Sequence, residues 1–203
     1  MKKFYVVSGD ANGENIPYFF EMIWTPDLPV FDLPVASPDI KSFAKAYSVK
    51  ADTEELKVDV LINDYLASVD FVELCESLET DFLTIPAEVI LEDGKSPEKK
   101  YSFFCIKARA WVLSQEESVY DLTDDGLLRP KEDRAPGPVY ERIDSFVMKS
   151  NVDYDLFYCE EIKQMVCSSR FKQEFESRKL SGLNFMAIDE GYVYAPWDDF
   201  GLD

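Results

Sequence analysis

Net charge is the feature of this sequence that most constrains its fold, because 40 acidic residues stand against 21 basic ones and there is no histidine. The formal net charge is −19, yet 46% of the residues are hydrophobic, including 15 Phe, 11 Tyr and 3 Trp. Disordered acidic chains contain few aromatic residues, so this composition is typical of a folded protein. The chain must bury a sizeable apolar core and keep most of its carboxylates at the surface.

The same charge limits the classes of function. Uncompensated negative charge repels nucleic acid and anionic membranes and attracts cations or a basic protein surface. The lack of histidine removes the usual general base and the commonest transition-metal ligand. We therefore expect no nucleic-acid partner, no membrane partner and no enzyme that depends on histidine.

The four cysteines show no C-x-x-C spacing, and each lies in an apolar or mixed segment. We expect reduced, mostly buried thiols and no cofactor. They are Cys75, Cys105, Cys159 and Cys167. The apolar run at Phe4–Val7 is too short for a signal peptide, and no stretch is long and apolar enough to span a bilayer. A cytoplasmic location is the simplest interpretation.

Turn-linked strands dominate the predicted secondary structure. Alternating or β-branched runs predict strands at Phe4–Val7, Leu56–Ile62, Phe82–Leu91 and Tyr101–Leu113, with a hairpin turn at Asp93-Gly94. We therefore predict an α+β fold, mainly antiparallel sheet with a few short amphipathic helices. It is one domain over residues 1–203, or two closely packed α+β subdomains that meet near residues 114–138, where prolines and charges predict a long loop.

Three helices are predicted from caps and apolar spacing. The first begins at Ser37-Pro38 and carries Ile40, Phe43, Ala44 and Tyr47 on one face. The second covers Asp70–Leu78. The third is capped by Ser168-Ser169 and buries Phe171 and Phe175. It is predicted to end at Leu180-Ser181-Gly182, with the glycine in the left-handed conformation.

Residues 16–38, and the pair of segments 70–85 and 169–188, carry weaker signals. Residues 16–38 alternate aromatics with prolines, which predicts an extended, irregular backbone packed down by Phe19, Phe20, Trp24 and Phe31. Residues 70–85 and 169–188 both contain a helix, a polar exit and a short strand. Because that succession is common, we interpret the similarity as coincidence.

A calcium-loop pattern lies at residues 121–132, with oxygen ligands available from Asp121, Asp125 and Glu132. Arg129 places a cation where a water normally bridges to the metal, and Pro130 disrupts the exiting helix. We therefore predict a loop without metal there.

Paired acids are the remaining chemical feature, and neither a nucleophile elbow nor a phosphate-binding glycine loop accompanies them. Such pairs are expected on solvated faces in so acidic a chain. The residues predicted to bind a partner are Glu160, Glu161, Trp197, Asp198 and Asp199. Trp197 is equally compatible with a place in the core.

Hydrophobic positions and caps over about two thirds of the chain resemble a bacterial family of immunity proteins for polymorphic toxins, formerly an uncharacterised domain family. The resemblance does not include residues 16–38. The segments that carry it are 82–89, 101–113, 155–158, 166–172 and 180–185, including the runs Asp155-Leu156-Phe157-Tyr158 and Leu180-Ser181-Gly182-Leu183.

This resemblance implies a noncatalytic cytoplasmic protein that neutralises a cognate toxin domain by tight binding. An acidic inhibitor can imitate the phosphate that a nuclease toxin binds and can steer their encounter. Two alternatives remain open. One is a carboxylate-dependent enzyme, with a divalent cation at Asp121, Asp125 and Glu132, and the other is an acidic scaffold for a basic partner.

Overall fold

The computed structural model describes residues 2–10, 21–31, 33, 36–123 and 137–196. In these residues it contains two helices, α1 (Val69–Ser77) and α2 (Ser169–Ser177), and thirteen strands. The strands are β1 (Phe4–Gly9), β2 (Met22–Thr25), β3 (Tyr47–Ala51), β4 (Val60–Leu61), β5 (Leu66–Ser68), β6 (Phe82–Ile90), β7 (Tyr101–Ile106), β8 (Arg109–Ala110), β9 (Val119–Thr123), β10 (Val139–Ser145), β11 (Leu156–Cys159), β12 (Gln164–Ser168) and β13 (Leu183–Ala187).

These strands form two main sheets and a ribbon. The six-stranded sheet has the order β2-β3-β6-β7-β5-β4, the five-stranded sheet has the order β13-β1-β12-β11-β8, and β9 pairs with β10. All pairings are antiparallel except β3 with β6 and β8 with β11. The predicted α+β fold with mainly antiparallel sheet is confirmed.

The two sheets contain the same unit twice. In the first repeat a hairpin (β4–β5) leads into α1 and then into β6, and β7 lies between β5 and β6. In the second repeat a hairpin (β11–β12) leads into α2 and then into β13, and β1 lies between β12 and β13. The central strand follows its repeat in one case and comes from the start of the chain in the other. The similarity of residues 70–85 and 169–188, which the sequence left as coincidence, therefore extends over a whole structural unit.

Equivalent hydrogen bonds begin the two helices. Ser68 accepts from the Phe71 N–H at 3.3 Å and donates its hydroxyl to Oδ1 of Asp59 at 3.0 Å. The Ser68 N–H also donates to the Asp59 carbonyl at 2.6 Å. One serine thus caps α1 and holds the helix on the preceding hairpin.

The second helix begins in the same way. Ser168 accepts from the Phe171 N–H at 3.2 Å and donates its hydroxyl to Oδ1 of Asp155 at 2.5 Å. Its N–H donates to the Asp155 carbonyl at 2.9 Å. The predicted Ser168 cap and the buried positions of Phe171 and Phe175 are confirmed.

The ends of the helices also correspond, and here the sequence prediction was wrong. The left-handed residues are Glu79 after α1 (φ 53°) and Lys179 after α2 (φ 56°). Gly182 has φ +107°, but it lies three residues further on, against the first repeat. A Cβ at Gly182 would lie 2.0 Å from the Val60 carbonyl oxygen, so this glycine permits a backbone contact between the repeats.

The two helices meet in one core between the sheets. The ring of Phe71 packs edge-on against those of Phe171 and Phe175, with centroids 6.2 Å apart in both pairs. Phe71 also contacts Phe104 of β7 at 5.2 Å, and Phe175 contacts Phe185 of β13 at 5.4 Å. Each helix therefore covers its own sheet and contacts the other helix.

The opposite face of the six-stranded sheet is covered by the aromatic segment before β3. Phe103 of β7 is fully buried, with ring centroids of Trp24, Phe31 and Phe43 within 5.0–6.3 Å. The predicted packing of Trp24 and Phe31 is confirmed. Phe19 and Phe20 lie outside the described residues.

The helix predicted from Pro38 to Tyr47 is wrong. A 3₁₀ turn covers Ile40–Ser42 and is capped by Asp39, and Tyr47 begins β3. Ser37 donates instead to the Lys107 carbonyl at 3.1 Å. Packing of Phe43 and Tyr47 onto Phe103 favours the extended backbone over the helix that the spacing predicted.

Residues 56–62 and 114–138 also differ from their predicted structures. The predicted strand at Leu56–Ile62 is reduced to Val60–Leu61, although the predicted alternation is present because Leu56, Val58, Val60 and Ile62 are buried. The predicted loop near residues 114–138 is wrong over β9, which pairs with β10. Val119 and Leu122 are exposed, so β9 itself carries little apolar signal, and the ribbon is held on the core by the buried Tyr140 and Ile143 of β10.

Candidate functional site

A cleft of about 570 Å³ lies between the two sheets, where their central strands end. Val7 and Gly9 of β1 line one side, and Phe104 and Ile106 of β7 line the other. Val7 pairs with Met165 of β12. Phe104 directly follows Phe103, which pairs with Leu66 of β5. Val7 and Phe104 are thus equivalent in the two repeats, and the cleft lies where the repeats face each other.

The turns of the two hairpins supply the polar groups of the cleft. Asn63 and Tyr65 come from the first hairpin, and Lys163 and Gln164 come from the second. Both turns close with a left-handed residue, Tyr65 at φ 56° and Lys163 at φ 54°. The lining of the cleft is therefore mixed, with Asn63, Lys163 and Gln164 beside apolar side chains of the two central strands.

A buried ion-pair network lies beside Lys163. Glu160 is 4% exposed and accepts from Arg109 Nε at 2.5 Å and from Lys163 Nζ at 2.9 Å. Arg109 also donates to the Leu33 carbonyl, and its guanidinium carbon lies 4.5 Å from the ring centroid of Tyr158. Burial alone would raise the pKa of Glu160, but the hydrogen bonds and charges of Arg109 and Lys163 lower it overall.

Glu161 is buried as well, with 3% exposure. Its Oε1 accepts from the Leu113 N–H at 2.7 Å, and its Oε2 accepts from the Cys159 thiol at 3.2 Å. The expectation that Glu160-Glu161 lies on a solvated face is wrong, because both carboxylates are satisfied inside the protein. In this conformation neither carboxylate is available to a docking partner.

The other residues predicted to form sites lie mostly beyond the described part of the chain. Asp121 belongs to β9 and is opposite Arg142 of β10. Asp125 and Glu132, and the partner-binding Trp197, Asp198 and Asp199, lie outside the described residues. In residues 2–10, 21–31, 33, 36–123 and 137–196, no three His, Cys, Asp or Glu side chains are grouped as a metal site would require.

All four cysteines are free and buried. Burial raises the pKa of each thiol, to about 12 for Cys105 and further above the ordinary value for Cys75, Cys159 and Cys167. The carboxylate of Glu161 adds to the effect at Cys159. A thiol held protonated in the interior is a poor nucleophile.

One exposed feature was missed in the sequence, the α1 acidic stripe, formed by Asp70, Glu73 and Glu76 of α1 and by Glu79 just after it. All four side chains are exposed. Among the described residues none of them forms an ion pair. The spacing of three residues was the signal that could have found the stripe, because positions three apart share a helix face.

The corresponding face of α2 has mixed charge. Its equivalent positions hold Arg170, Gln173, Glu176 and Lys179, and Lys172 pairs with Glu176. The first repeat has no such balance, since no lysine or arginine occurs between residues 57 and 95. The charges on α2 are therefore mixed, whereas those on the equivalent face of α1 are all acidic.

Comparison with protein-family models gives no match for this chain, and comparison with curated proteins gives none either. In the described residues no helix is long and apolar enough to cross a membrane.

Proposed function

We propose that this chain is a cytoplasmic immunity protein that neutralises a cognate bacterial toxin by tight noncatalytic binding to a basic surface of that toxin. The α1 acidic stripe carries the proposal. It places exposed carboxylates without ion pairs among the described residues along α1, whose counterpart in the second repeat has mixed charge. Lysine and arginine side chains on a partner would form ion pairs with these carboxylates.

The net charge of −19 supports the same function through the rate of encounter. Opposite charges over two surfaces accelerate association, and the acceleration weakens as salt screens them. A steered inhibitor can reach its toxin quickly at low concentration, which immunity requires. Salt is expected to slow association much more than it changes dissociation.

Coexpression tests the proposal. Cells that express the toxic domain encoded next to this chain should survive only when this chain is present, and the purified pair should elute together. Survival without a stable complex would contradict inhibition by binding and would favour the carboxylate-dependent enzyme.

Charge reversal tests the role of the stripe. Glu73→Lys with Glu76→Lys should slow association about tenfold or more at low salt, since steering is worth one to several orders of magnitude in rate. The matched control is Glu116→Lys with Glu117→Lys, two exposed acids outside α1 with the same change in net charge. Equal slowing by both pairs would show that overall charge, and not the stripe, steers the encounter.

A further inference from the structure

The two repeats correspond element by element once β1 is counted as the last strand of the second repeat. Along the chain the first repeat consists of β4, β5, α1, β6 and β7. The second consists of β11, β12, α2 and β13, and β1 lies between β12 and β13 as β7 lies between β5 and β6. Both central strands are antiparallel to their two neighbours. The repeats therefore share one arrangement of strands but differ in chain order.

Register makes β1 and β7 equivalent residue by residue. Ser68 and Ser168 cap the two helices, and they pair with Tyr101 of β7 and Phe4 of β1. Both central strands are six residues long and begin at this aromatic residue. The side chains of Tyr101 and Phe4 are both buried. The strand from the start of the chain therefore occupies the position of β7 in the second repeat.

Hydrogen bonds at the start of the central strands match. The N–H of Val69, the first residue of α1, donates to the carbonyl of Lys100 at 3.0 Å. The N–H of Ser169, the first residue of α2, donates to the carbonyl of Lys3 at 2.8 Å. Each acceptor is the residue directly before its central strand. Each helix is thus joined to its central strand at the same point.

Hydrogen bonds at the far end of the central strands match as well. Lys107 directly follows β7, and its N–H donates to the Asp81 carbonyl at 2.9 Å. Asp10 directly follows β1, and its N–H donates to the Gly182 carbonyl at 3.0 Å. Both acceptors directly precede the strand that follows the helix. The equivalence of β1 and β7 therefore extends to the residues on either side of them.

Seven residues keep their identity at equivalent positions, and two of them precede the displaced strand. Lys2-Lys3 lies before β1 as Lys99-Lys100 lies before β7. Lys2 and Lys99 each form an ion pair with an aspartate that lies just before the hairpin of the same repeat. The identical pairs are Asp59 with Asp155, Ser68 with Ser168, Phe71 with Phe171, Glu76 with Glu176, Ser77 with Ser177, Lys99 with Lys2 and Lys100 with Lys3.

We propose that this chain is a tandem duplication of one β-β-α-β-β unit that has been circularly permuted, so that the last strand of the second unit now opens the chain. The lysine pair and the two flanking hydrogen bonds carry the proposal. Two unrelated hairpin-helix units would not be expected to share them at a strand supplied from the opposite end of the chain. The inference is independent of the toxin.

The geometry of the second repeat allows the original order. Ile188 directly follows β13, and its N–H donates to the Phe4 carbonyl at 2.9 Å. The end of β13 and the start of β1 are therefore adjacent, as the end of β6 and the start of β7 are. In the first repeat residues 91–100 make that connection. A connection from β13 to β1 would make the second repeat continuous in sequence.

The permutation has a consequence for assembly. The second repeat is complete only when β1 pairs with β12 and β13, which lie near the other end of the chain. Pairing of segments so distant in sequence costs more chain entropy than pairing within a continuous unit. We therefore expect the first repeat to form from local contacts and the second to wait for the two ends of the chain to meet.

Two circular permutants that keep every residue test the proposal. Both join Asp203 to Met1 through the same glycine-serine linker of about 20 residues, whose average reach is about 25 Å. The tandem permutant opens between the exposed Ser150 and Asn151, ahead of β11, and makes both units continuous. The exchanged permutant opens between the exposed Lys95 and Ser96, so that β7 opens the chain and the first unit takes the order that the second has in wild type.

Structure is the first readout. Both permutants should unfold cooperatively in urea, because exposed connections tolerate new termini and each unit keeps its strand pairing. The amides of β1 are paired on both sides and should exchange with solvent as slowly as in wild type. A tandem permutant that does not unfold cooperatively, or whose β1 amides exchange rapidly, would overturn the proposal.

Refolding rates give the sharper comparison. One central strand is displaced in wild type (β1) and one in the exchanged permutant (β7), whereas none is displaced in the tandem permutant. Because local contacts speed folding, the tandem permutant should refold about tenfold or more faster than the other two proteins. The exchanged permutant carries the same linker and is the matched control. Refolding of the tandem permutant no faster than that of the exchanged permutant would contradict a second unit that is completed by β1.

Discussion

Ser181 donates both its N–H and its hydroxyl to one oxygen of Asp59, Oδ2, at 2.9 and 3.0 Å. The other oxygen accepts from Ser68 at 3.0 Å and from Lys99 Nζ at 2.6 Å. Asp59 precedes the first hairpin, and Ser181 follows the second helix. One carboxylate, 1% exposed, therefore joins the two repeats.

Loss of this carboxylate is expected to destabilise the whole protein. Asp59→Asn leaves Lys99 without its buried counter-ion and should lower the free energy of unfolding by about 3 kcal/mol or more. The control is Asp155→Asn, because among the described residues Asp155 contacts Ser168 and Arg170 of its own repeat, and Arg170 is exposed. Urea denaturation measures both, and equal losses would contradict a joining role for Asp59.

Gly182→Ala should lower the free energy of unfolding far more than the addition of one methyl group usually does. The new Cβ would meet the Val60 carbonyl oxygen at 2.0 Å at a φ of +107°, and we expect a loss of more than about 3 kcal/mol. Gly94→Ala has φ +82° but nothing within 4 Å, so its cost should be about 1 kcal/mol. Thermal and urea unfolding compare them. Similar costs would show that backbone conformation, not contact between the repeats, explains Gly182.

Glu160 should make stability depend on pH in a defined direction. Its pKa is lowered in the folded state from the ordinary value of 4.5, so its contribution is present above that pH and is lost as pH falls through the folded value. The difference in unfolding free energy between wild type and Glu160→Gln should be largest near neutral pH and shrink as acidification protonates Glu160 in the folded protein. A difference that grows on acidification would contradict the Arg109 and Lys163 pairing.

The four thiols should resist modification in the folded protein. Each is buried and its pKa is raised, so a thiol-reactive dye at neutral pH should label the native chain very slowly. In denaturant all four should react. Rapid labelling of any native thiol would reveal an accessible, activated cysteine and would strengthen an enzymatic interpretation.

Local signals were enough to predict α2. The Ser168 hydroxyl caps the Phe171 N–H three residues away, and the aromatic pair four residues apart packs on one face. The predicted helix near Ile40 failed because Phe43 and Tyr47 pack on Phe103, which lies on a strand far away in sequence. The spacing of apolar residues along the sequence does not reveal packing against a strand so distant in the chain.

The repeat was hidden for a different reason. The aligned residues that keep their identity are few, notably the aspartate, serine and phenylalanine of each capping network. The central strand is also displaced in chain order, because β1 opens the chain while β7 follows β6. The burial of Glu160 was unpredictable in the same sense, since it depends on Arg109, 51 residues earlier.

Stoichiometry tests the central claim of noncatalytic binding most directly. The toxic activity of the neighbouring domain is titrated with increasing amounts of this chain, and each mixture is followed over time. Our account predicts activity that falls linearly to zero at one equivalent and does not change further with time. Complete and progressive inactivation by a small fraction of an equivalent would contradict it, because a protein that acts once for each toxin molecule cannot turn over.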